Sequence, residues 1–405
     1  MVVSAPARLV LGAVVLASLA GCGFMRRLAG NDTISLEKAD VKSMAVDLRR
    51  QIKTICPREP VQMAVFAEVV LDGDKGAKQV ETWAGHGDVN KNDKLDFVDF
   101  AFHSEQGQFD RDGWFAPNPD VRATAGKEFE IKSVFRRRPD KFTFTTTYKP
   151  DYSCIKGAGG GGQPGNSGSA GNPGNAGKDG AVGSTTSAGG SGGDGAAGTR
   201  GGNGSDGSPG PHLTAFATLV KTPFYERLVA ISIQGDAEDF LLVPEGQPIT
   251  LRATGGSGGH GGHGGAGGRG GPGGGGNPGG QGGKGGPGGQ GGDGGRGGPG
   301  GTIELVYDAR FADLASQIRL DVSGGSGGGP GGGGAGGGAG RGGSGMTPSG
   351  SSGQSPPAAP RGADGSEGSA GPSGAAGHEG PAGRASARPG DVKDKLPGSA
   401  EISVL

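Results

Sequence analysis

One stretch of the sequence has the spacing of oxygen ligands that a calcium ion requires. Residues 88–99 read Asp-Val-Asn-Lys-Asn-Asp-Lys-Leu-Asp-Phe-Val-Asp. A calcium loop of about 12 residues supplies ligands from positions 1, 3, 5, 7, 9 and 12, and position 7 acts through its backbone carbonyl. The spacing predicts Ca²⁺ as a bound ion, held by Asp88, Asn90, Asn92, Lys94, Asp96 and Asp99.

This pattern resembles the dockerin calcium loop, in which an aspartate also occupies position 12. It departs from that loop at position 6, where Asp93 replaces a glycine, although aspartate tolerates the left-handed conformation better than most residues. Dockerins pair two such loops, and the sequence has no second one. An Asx-rich turn between strands would use the same residue types. Both interpretations stay open at this point.

The other residues whose side chains could take part in chemistry do not form a catalytic pattern. His260 and His263 would lie about 9 Å apart on one edge of a period-three helix, too far to share a metal ion, so they are predicted to be exposed to solvent. Asp110–Gly113 reads as a turn. Glycine runs match the phosphate-loop pattern by composition alone, without a strand and helix around them. HExxH and Cys–His nucleophile pairs are absent from the sequence, which predicts that the protein is not an enzyme.

The first residues have the features of an export signal with a lipid attachment site. Arg8 precedes an apolar stretch over 9–19, which is too short to span a bilayer as a permanent helix. Leu19-Ala20-Gly21-Cys22 resembles the bacterial lipobox. That resemblance implies that the Cys22 thiol carries acyl chains such as palmitate and becomes the mature N-terminus. Gly23 in place of Asp implies the outer membrane, periplasmic or surface-exposed, with the membrane as a partner through the lipid anchor.

Two further cysteines are predicted to form a disulfide. Cys56 and Cys154 are 98 residues apart in the sequence. An exported chain enters an oxidising compartment, where two remaining thiols usually pair. Closing a loop of this size would stabilise the fold by about 4 kcal/mol.

Composition excludes one large globular enzyme. Of 405 residues, 96 are Gly and 27 are Pro, whereas hydrophobic residues make up 32% and aromatics 5%. Such a chain cannot bury one core in proportion to its length. With a net charge of −1, the chain has no excess of positive charge for binding nucleic acid, so no nucleic-acid partner is expected.

Residues 32–156 have an ordinary composition and strand-like patterns. Alternation over 61–71 predicts a strand, and the two segments that flank a Pro-Asp turn, 129–135 and 142–148, predict a hairpin. Residues 40–55 fit a helix or a strand, and periodicity does not decide between them. We expect one mainly β, sandwich-like domain that is closed by the disulfide.

Glycine then recurs with a fixed period. Every third residue from Gly159 to Gly210 is Gly at 17 of 18 positions, and the same holds from Gly255 to Gly300 at 16 of 16. The adjacent register, Gly256 to Gly301, has 15 of 16, so this tract is Gly-Gly-X. A third glycine-rich stretch covers 324–345, and 362–383 again has Gly at 8 of 8 triplet positions.

Three structures compete for these tracts. A collagen triple helix would make the protein a homotrimer, and the tract over 159–210 resembles bacterial collagen-like repeats, but it has Pro only at 164, 173 and 209. Disorder suits the composition but does not explain the phase. A bundle of polyglycine II helices would use both glycine edges for packing and expose the X residues, and by repeat pattern it resembles the glycine-rich bundles of the snow flea antifreeze protein and of some phage tail-tip adhesins. In the Gly-Gly-X tract these X residues include Ser257, His260, His263, Ala266, Arg269, Pro272, Gln281, Lys284, Gln290, Asp293 and Arg296.

The predicted fold class is mainly β, with a glycine-rich, polyglycine II-like bundle interleaved with short strands. The predicted organisation is a lipoprotein signal peptide (1–21), a lipid-anchored tether (22–31), a mainly β domain (32–156), a Gly-X-Y collagen-like tract (157–211), a β segment (212–254), a Gly-Gly-X tract (255–301), a short β/α/β segment (302–323), a low-complexity tail with triplet repeats (324–399) and a terminal strand (400–405).

Two functions follow as hypotheses. The first is a non-enzymatic structural or adhesive cell-envelope lipoprotein that displays the glycine-rich body to an envelope, matrix or cell-surface partner. Its organisation resembles that of exported glycine-rich lipoproteins of the myxobacterial type. The second is a calcium-dependent binding module at residues 32–156, for which the glycine tracts are a spacer.

Overall fold

The first part of the chain folds into two β-sheets. A computed structural model describes residues 33–49, 52–82, 94–348, 357–396, 398 and 400–405. The strands of the first part are β1 (Thr33–Ile34), β2 (Asp40–Leu48), β3 (Thr54–Ile55), β4 (Val61–Val70), β5 (Lys78–Glu81), β6 (Lys94–Leu95), β7 (Phe100–His103), β8 (Gly107–Phe109), β9 (Trp114–Pro117), β10 (Phe129–Phe135) and β11 (Thr143–Pro150). Short 3₁₀ turns cover Phe97–Asp99 and Val121–Ala123.

These two sheets share one hydrophobic core, as a sandwich requires. One has the order β1-β6-β5-β4-β9-β8 with β2 also paired to β4, and the other has the order β3-β11-β10-β7. Met63 and Val65 from the first sheet and Phe129 and Ile131 from the second are fully buried in that core. The predicted strand at 61–71 and the hairpin of β10 and β11 are confirmed. The segment over 40–55 is a strand at Asp40–Leu48, where it pairs with β4.

The predicted disulfide between Cys56 and Cys154 is present, with Cα atoms 6.2 Å apart. It joins the end of β3 to the residues that follow β11. Val121 and Tyr152 of the first part are buried in a second core, which belongs mainly to the C-terminal part. The two parts of the chain are therefore joined by packing.

The C-terminal part adds two more sheets. Its elements are β12 (Gly157–Gly161), β13 (His212–Lys221), β14 (Leu228–Gly235), β15 (Asp239–Pro244), β16 (Ile249–Thr254), β17 (Thr302–Asp308), α1 (Leu314–Gln317), β18 (Ile318–Asp321), β19 (Arg384–Gly390), a 3₁₀ turn at Lys393–Lys395 and β20 (Ser403–Val404). One sheet is parallel, with the order β12-β16-β18, and the other has the order β15-β14-β13-β17-β19, with β20 also paired to β13. Alternating apolar residues such as Ile249, Leu251 and Ala253 face the second core.

The strand order shows an internal repeat of three units. In each unit a strand of the parallel sheet leads into a glycine tract, the tract reverses, and the returning tract leads into a strand of the other sheet. The units are β12 to β13, β16 to β17 and β18 to β19, and they follow one another in the same order in both sheets. β16 and β18 both lead into Gly-Gly-Ser-Gly-Gly, whereas β12 leads into its glycine tract without that sequence.

Six extended glycine segments connect these strands. We number them in chain order as segments 1 to 6, which cover 162–183, 189–210, 255–276, 279–301, 324–345 and 362–383. Their backbone N–H groups bond to carbonyls of other segments at every third residue. Segment 1 donates to segment 3 from Gly165 to Ser257 at 2.7 Å and from Gly168 to His260 at 2.7 Å, and the series continues to Gly183.

These bonds arrange the segments in two rows. Segments 1, 3 and 5 form one parallel row, and segments 2, 4 and 6 form the other. Antiparallel bonds cross between the rows, as from Gly289 of segment 4 to Gly265 of segment 3 at 2.8 Å. Segments 3 and 4 lie in the middle and bond to four neighbours each. They are the segments of the Gly-Gly-X tract, which has two glycine edges.

Close approach of the backbones explains the glycines. A Cβ atom on Gly265 would lie far inside van der Waals contact of the Asn172 carbonyl, and one on Gly264 would meet the Gly289 carbonyl in the same way. Both atoms would be nearer than the 3.0 Å below which real Cβ contacts essentially do not occur. The packing therefore requires glycine at fixed positions of each triplet, and a high glycine content alone would not be enough.

The mainly β class is confirmed, and two of the strands have no strand-like pattern in the sequence. β12 consists of four glycines and one alanine, and β19 reads Arg-Ala-Ser-Ala-Arg-Pro-Gly. Neither has the alternation of a half-buried strand. Both lie at sheet edges, where backbone pairing to one neighbour replaces side-chain burial.

Candidate functional site

The exposed X positions of the glycine segments form regular rows on the surface. Those of segment 3 run along one face and those of segment 4 along the opposite face, because the two segments belong to different rows. Consecutive X residues are about 9 Å apart if each residue rises by about 3.1 Å. The exposed X residues are Ser257, His260, His263, Ala266, Arg269 and Pro272 in segment 3 and Gln281, Lys284, Pro287, Gln290, Arg296 and Pro299 in segment 4.

Some side chains at these positions bond to the backbone of the next segment. Asp194 accepts the N–H of Lys284 at 2.7 Å, and Asp206 accepts the N–H of Arg296 at 2.7 Å. X-position N–H groups take no part in the ladder, so these aspartates satisfy two of them and fix the register of segments 2 and 4. This role was not predicted from the sequence. Its signal would have been Asp and Asn residues in phase with the triplets.

Asp293 combines two such interactions. Its Oδ1 accepts the N–H of Ala375 at 2.8 Å, and its Oδ2 accepts a guanidinium N–H of Arg200 at 2.7 Å. The Ala375 N–H, followed by the charge of Arg200, lowers the pKa of the Asp293 carboxyl. Asp293 thus connects segments 2, 4 and 6 on one face of the body.

His260 and His263 are exposed, as the sequence predicts. Each Nδ1 accepts a backbone N–H from segment 5, His260 from Gly329 at 3.0 Å and His263 from Gly332 at 3.2 Å. Both imidazoles therefore bridge segments 3 and 5.

The predicted calcium loop is only partly within the described residues. Asp88, Asn90 and Asn92 lie outside them. Lys94 is in β6, where it pairs with Thr33 and Glu81. Asp96 begins the 3₁₀ turn, because its Oδ1 accepts the Val98 N–H at 3.0 Å.

Asp99, at the last position of that loop, is 7% exposed. Its Oδ1 accepts an N–H from Nε of Arg137 at 3.0 Å. This ion pair ties the turn to the residues after β10. One oxygen of the carboxylate is thus already engaged by a guanidinium.

A charged cleft of about 910 Å³ lies between the two parts of the chain. Arg58, which follows β3, bonds through both terminal nitrogens to the Asp239 carboxylate and also to the Phe240 carbonyl at 3.1 Å. Arg122 forms a second forked pair with Asp120, and this guanidinium lowers the pKa of the Asp120 carboxyl. The Arg58–Asp239 pair joins the two parts, and the Arg122–Asp120 pair is local to the first part, so both have a structural role.

The other predicted sites have simple outcomes. Cys22 lies outside the described residues. Among the described residues, the one group close enough to hold a metal ion is Cys56, Glu59 and Cys154, and both of its sulfurs are in the disulfide. No helix in the part of the chain that the structure describes has the length and apolar character to cross a membrane.

Comparison of the chain with protein-family models, with curated proteins and with solved structures finds no match.

Proposed function

We propose that this protein is a non-enzymatic, structural or adhesive lipoprotein of the cell envelope. In this proposal Cys22 carries the lipid anchor at the outer membrane, the β-sandwich forms the membrane-proximal part, and the glycine-rich body is displayed to an envelope, matrix or cell-surface partner. The observation that carries the proposal is the ladder of period-three hydrogen bonds that joins six glycine segments into one body. A flexible spacer needs only a glycine-rich composition, whereas this body needs glycine at every third position in a fixed register.

We further propose that the segments are polyglycine II helices within a single chain. Such helices have three residues per turn, about 3.1 Å rise per residue and no internal hydrogen bonds, so their N–H groups are free to bond to neighbours. The period-three donors support this. All the ladder donors find acceptors in the same chain, which favours the bundle over a three-chain collagen helix. A segment of 22 residues then gives an arm about 70 Å long.

The arrangement suits display for a physical reason. Each segment is fixed by neighbours along its whole length, and its X side chains keep the solvent-facing edge. Exposed residues of several kinds, such as Arg269, Lys284 and Gln290, then form fixed rows on two faces. Because this surface is already ordered, a partner that binds several of these residues does so at a small entropic cost.

The anchor and the display are tested together on intact cells. The native chain and a Cys22→Ser chain are fractionated, and an antibody against the glycine-rich body is applied before and after permeabilisation. We expect the native chain in the outer-membrane fraction, with labelling of intact cells, and the variant in the soluble fraction. A native chain that is soluble would contradict the anchor. Labelling only after permeabilisation would contradict display at the surface.

Adhesion is tested with extracellular matrix from the producing cells as the probe. Cells that carry the native chain are compared with cells that lack it and with cells that carry Arg269→Ser, Lys284→Ser and Arg296→Ser together. These substitutions change exposed X residues and leave the ladder glycines intact. We expect weaker retention in both altered strains. Equal retention with and without the protein would refute the adhesive role.

The calcium-dependent module remains the alternative proposal. It is tested by thermal unfolding of the full chain with CaCl₂ and with MgCl₂, with Asp96→Asn as the matched variant. Stabilisation by calcium alone that the variant loses would favour it. An unchanged unfolding temperature would exclude it.

A further inference from the structure

Edges that face another segment carry glycine, except at Pro330 and Ala339 of segment 5, whereas the edges at the two ends of the body, on segments 1 and 6, do not. Segment 3 faces segment 1 through every third residue from Gly256 to Gly274, and a Cβ atom there would meet the carbonyls of segment 1. Segment 5 faces segment 3 through the equivalent glycines from Gly325 to Gly343. In segment 1, the equivalent edge would face a preceding unit. It carries exposed side chains at every third residue from Gln163 to Ala181.

The opposite end of the body follows the same rule. Segments 2 and 4 face the next unit through glycines such as Gly195 and Gly285, and a Cβ atom there would meet a carbonyl of that unit. The equivalent edge of segment 6 runs from Arg361 to Ala382 in steps of three. Every residue of this edge is exposed and none is glycine.

At the segment 6 end, a side chain accepts the hydrogen bond that a further glycine segment would otherwise accept. Gly273 of segment 3 donates its N–H to the Arg341 carbonyl of segment 5 at 2.8 Å. Gly342 is the equivalent residue of segment 5, and its N–H bonds to Oδ1 of Asp364 at 2.7 Å. Arg361 holds that carboxylate at 2.8 Å.

Side chains replace the missing neighbour at the segment 1 end as well. The ladder N–H groups on this edge of segment 3 bond to carbonyls of segment 2, as from Gly259 to Ser205 at 2.8 Å. In segment 1 the equivalent N–H of Asn166 bonds to Oγ of Ser205 at 2.7 Å, and that of Asn172 bonds to Oγ1 of Thr199 at 2.6 Å.

We infer that these side chains are end caps, which limit the body to six segments and prevent a second copy of the chain from packing against it. The free end of the strands fits this inference. β19 is the edge of its sheet, and Arg384, Arg388 and Pro389 there are exposed, which are residue types that block edge-to-edge pairing. At the other end, β14 and β15 cover β13. The segment 6 end is therefore the surface that a second copy would use if the caps were removed.

The test is an uncapped full-length chain, in which every third residue from Arg361 to Ala382 is replaced by Gly. The matched control keeps every Cβ atom and removes only acidic charge, as Asp364→Asn, Glu367→Gln and Glu379→Gln. Sedimentation equilibrium is measured for both and for the native chain. We expect a monomer for the native chain and the control, and a dimer for the uncapped chain. A folded, monomeric uncapped chain would overturn the inference, and so would a dimeric control, because charge repulsion would then be the cause.

A second measurement does not depend on the folding of the uncapped chain. Ser205→Ala and Thr199→Ala each remove one hydroxyl from the segment 1 end. Amide exchange of Asn166 is expected to rise about fivefold in the first variant and that of Asn172 about fivefold in the second, from the loss of one hydrogen bond. Unchanged exchange at both residues would overturn the capping role. These readouts concern packing, so they are independent of the display function.

Discussion

Two adjacent glycines of segment 5 give a sharp test of the packing. Gly337 lies on the edge that faces segment 3, where a Cβ atom would meet the Gly268 carbonyl far inside contact distance. Gly338 is exposed, and the nearest atom to its Cβ position is Cγ of Arg269 at 3.9 Å. Gly337→Ala and Gly338→Ala add the same methyl group one residue apart. The first is expected to destabilise the body and the second is not.

The magnitude follows from the bonds around Gly337. Segments 3 and 5 are joined there by bonds from the Gly267 N–H to the Ala335 carbonyl at 2.8 Å and from the Gly270 N–H to the Gly338 carbonyl at 2.9 Å, and the Gly337 N–H bonds to the Gly286 carbonyl of segment 4 at 2.8 Å. Separating segments 3 and 5 enough for a methyl group disrupts these three bonds, at about 1 kcal/mol each, so the loss is about 3 kcal/mol. Gly338→Ala should instead stabilise by about 0.4–1 kcal/mol, because alanine reduces the entropy of the unfolded chain.

Thermal unfolding of the full-length mature chain measures the difference. For a body of this size, about 3 kcal/mol corresponds to a fall in Tm of about 6–12 °C. Gly338→Ala should leave Tm unchanged or raise it by about 1–4 °C. Equal Tm values for the two variants would refute the assignment of glycine edges.

Three further predictions concern the strands and the first part of the chain. Reducing the disulfide between Cys56 and Cys154 should lower the free energy of unfolding by about 4 kcal/mol, which denaturant titration with and without dithiothreitol measures; an unchanged midpoint would contradict it. The hydrogen bond from Arg310 lowers the pKa of Asp308 from 3.8 to about 2. The ionised Asp308 carboxylate therefore stabilises the fold fully above about pH 4, and this contribution is lost as the pH falls towards 2. Asp308→Asn should reduce the loss of Tm between pH 5 and about 2. Gly113 has φ +72 and faces the Phe97 ring, so Gly113→Ala should cost about 2–3 kcal/mol, whereas Gly76→Ala, with open space around it, should cost less than about 0.5 kcal/mol.

Much of the strand architecture could be predicted because burial imposes a period of two. β4 and the hairpin of β10 and β11 alternate apolar and polar residues and were found from that pattern. β2 was ambiguous because its exposed face carries Lys42 and Ser43, and a register shift there interrupts the alternation. β12 and β19 gave no pattern, since edge strands are stabilised by backbone pairing.

The rows of X residues could also be predicted, because a period of three places them on one edge of an extended helix. The side chains that fix the register between segments, and the end caps, could not be predicted. Their meaning depends on which segments are neighbours, and Asp194 and Lys284 are far apart in sequence yet adjacent in the body. The three-unit repeat could not be predicted either, because β12 of the first unit and β19 of the third lack apolar alternation, and a longer stretch of sequence separates the two segments of the third unit.

The glycine tracts form one ordered, hydrogen-bonded body, and amide hydrogen exchange on the full-length chain is its decisive test. In segments 3 and 4 both glycines of each triplet donate to a neighbour, so their N–H groups should exchange slowly with a period of three. In segment 1 the third residue of each triplet, such as Ser167, should exchange fast while Gly165 and Gly168 are protected. Uniformly fast exchange over 255–301, at the rate of an unfolded glycine-rich chain, would contradict the account.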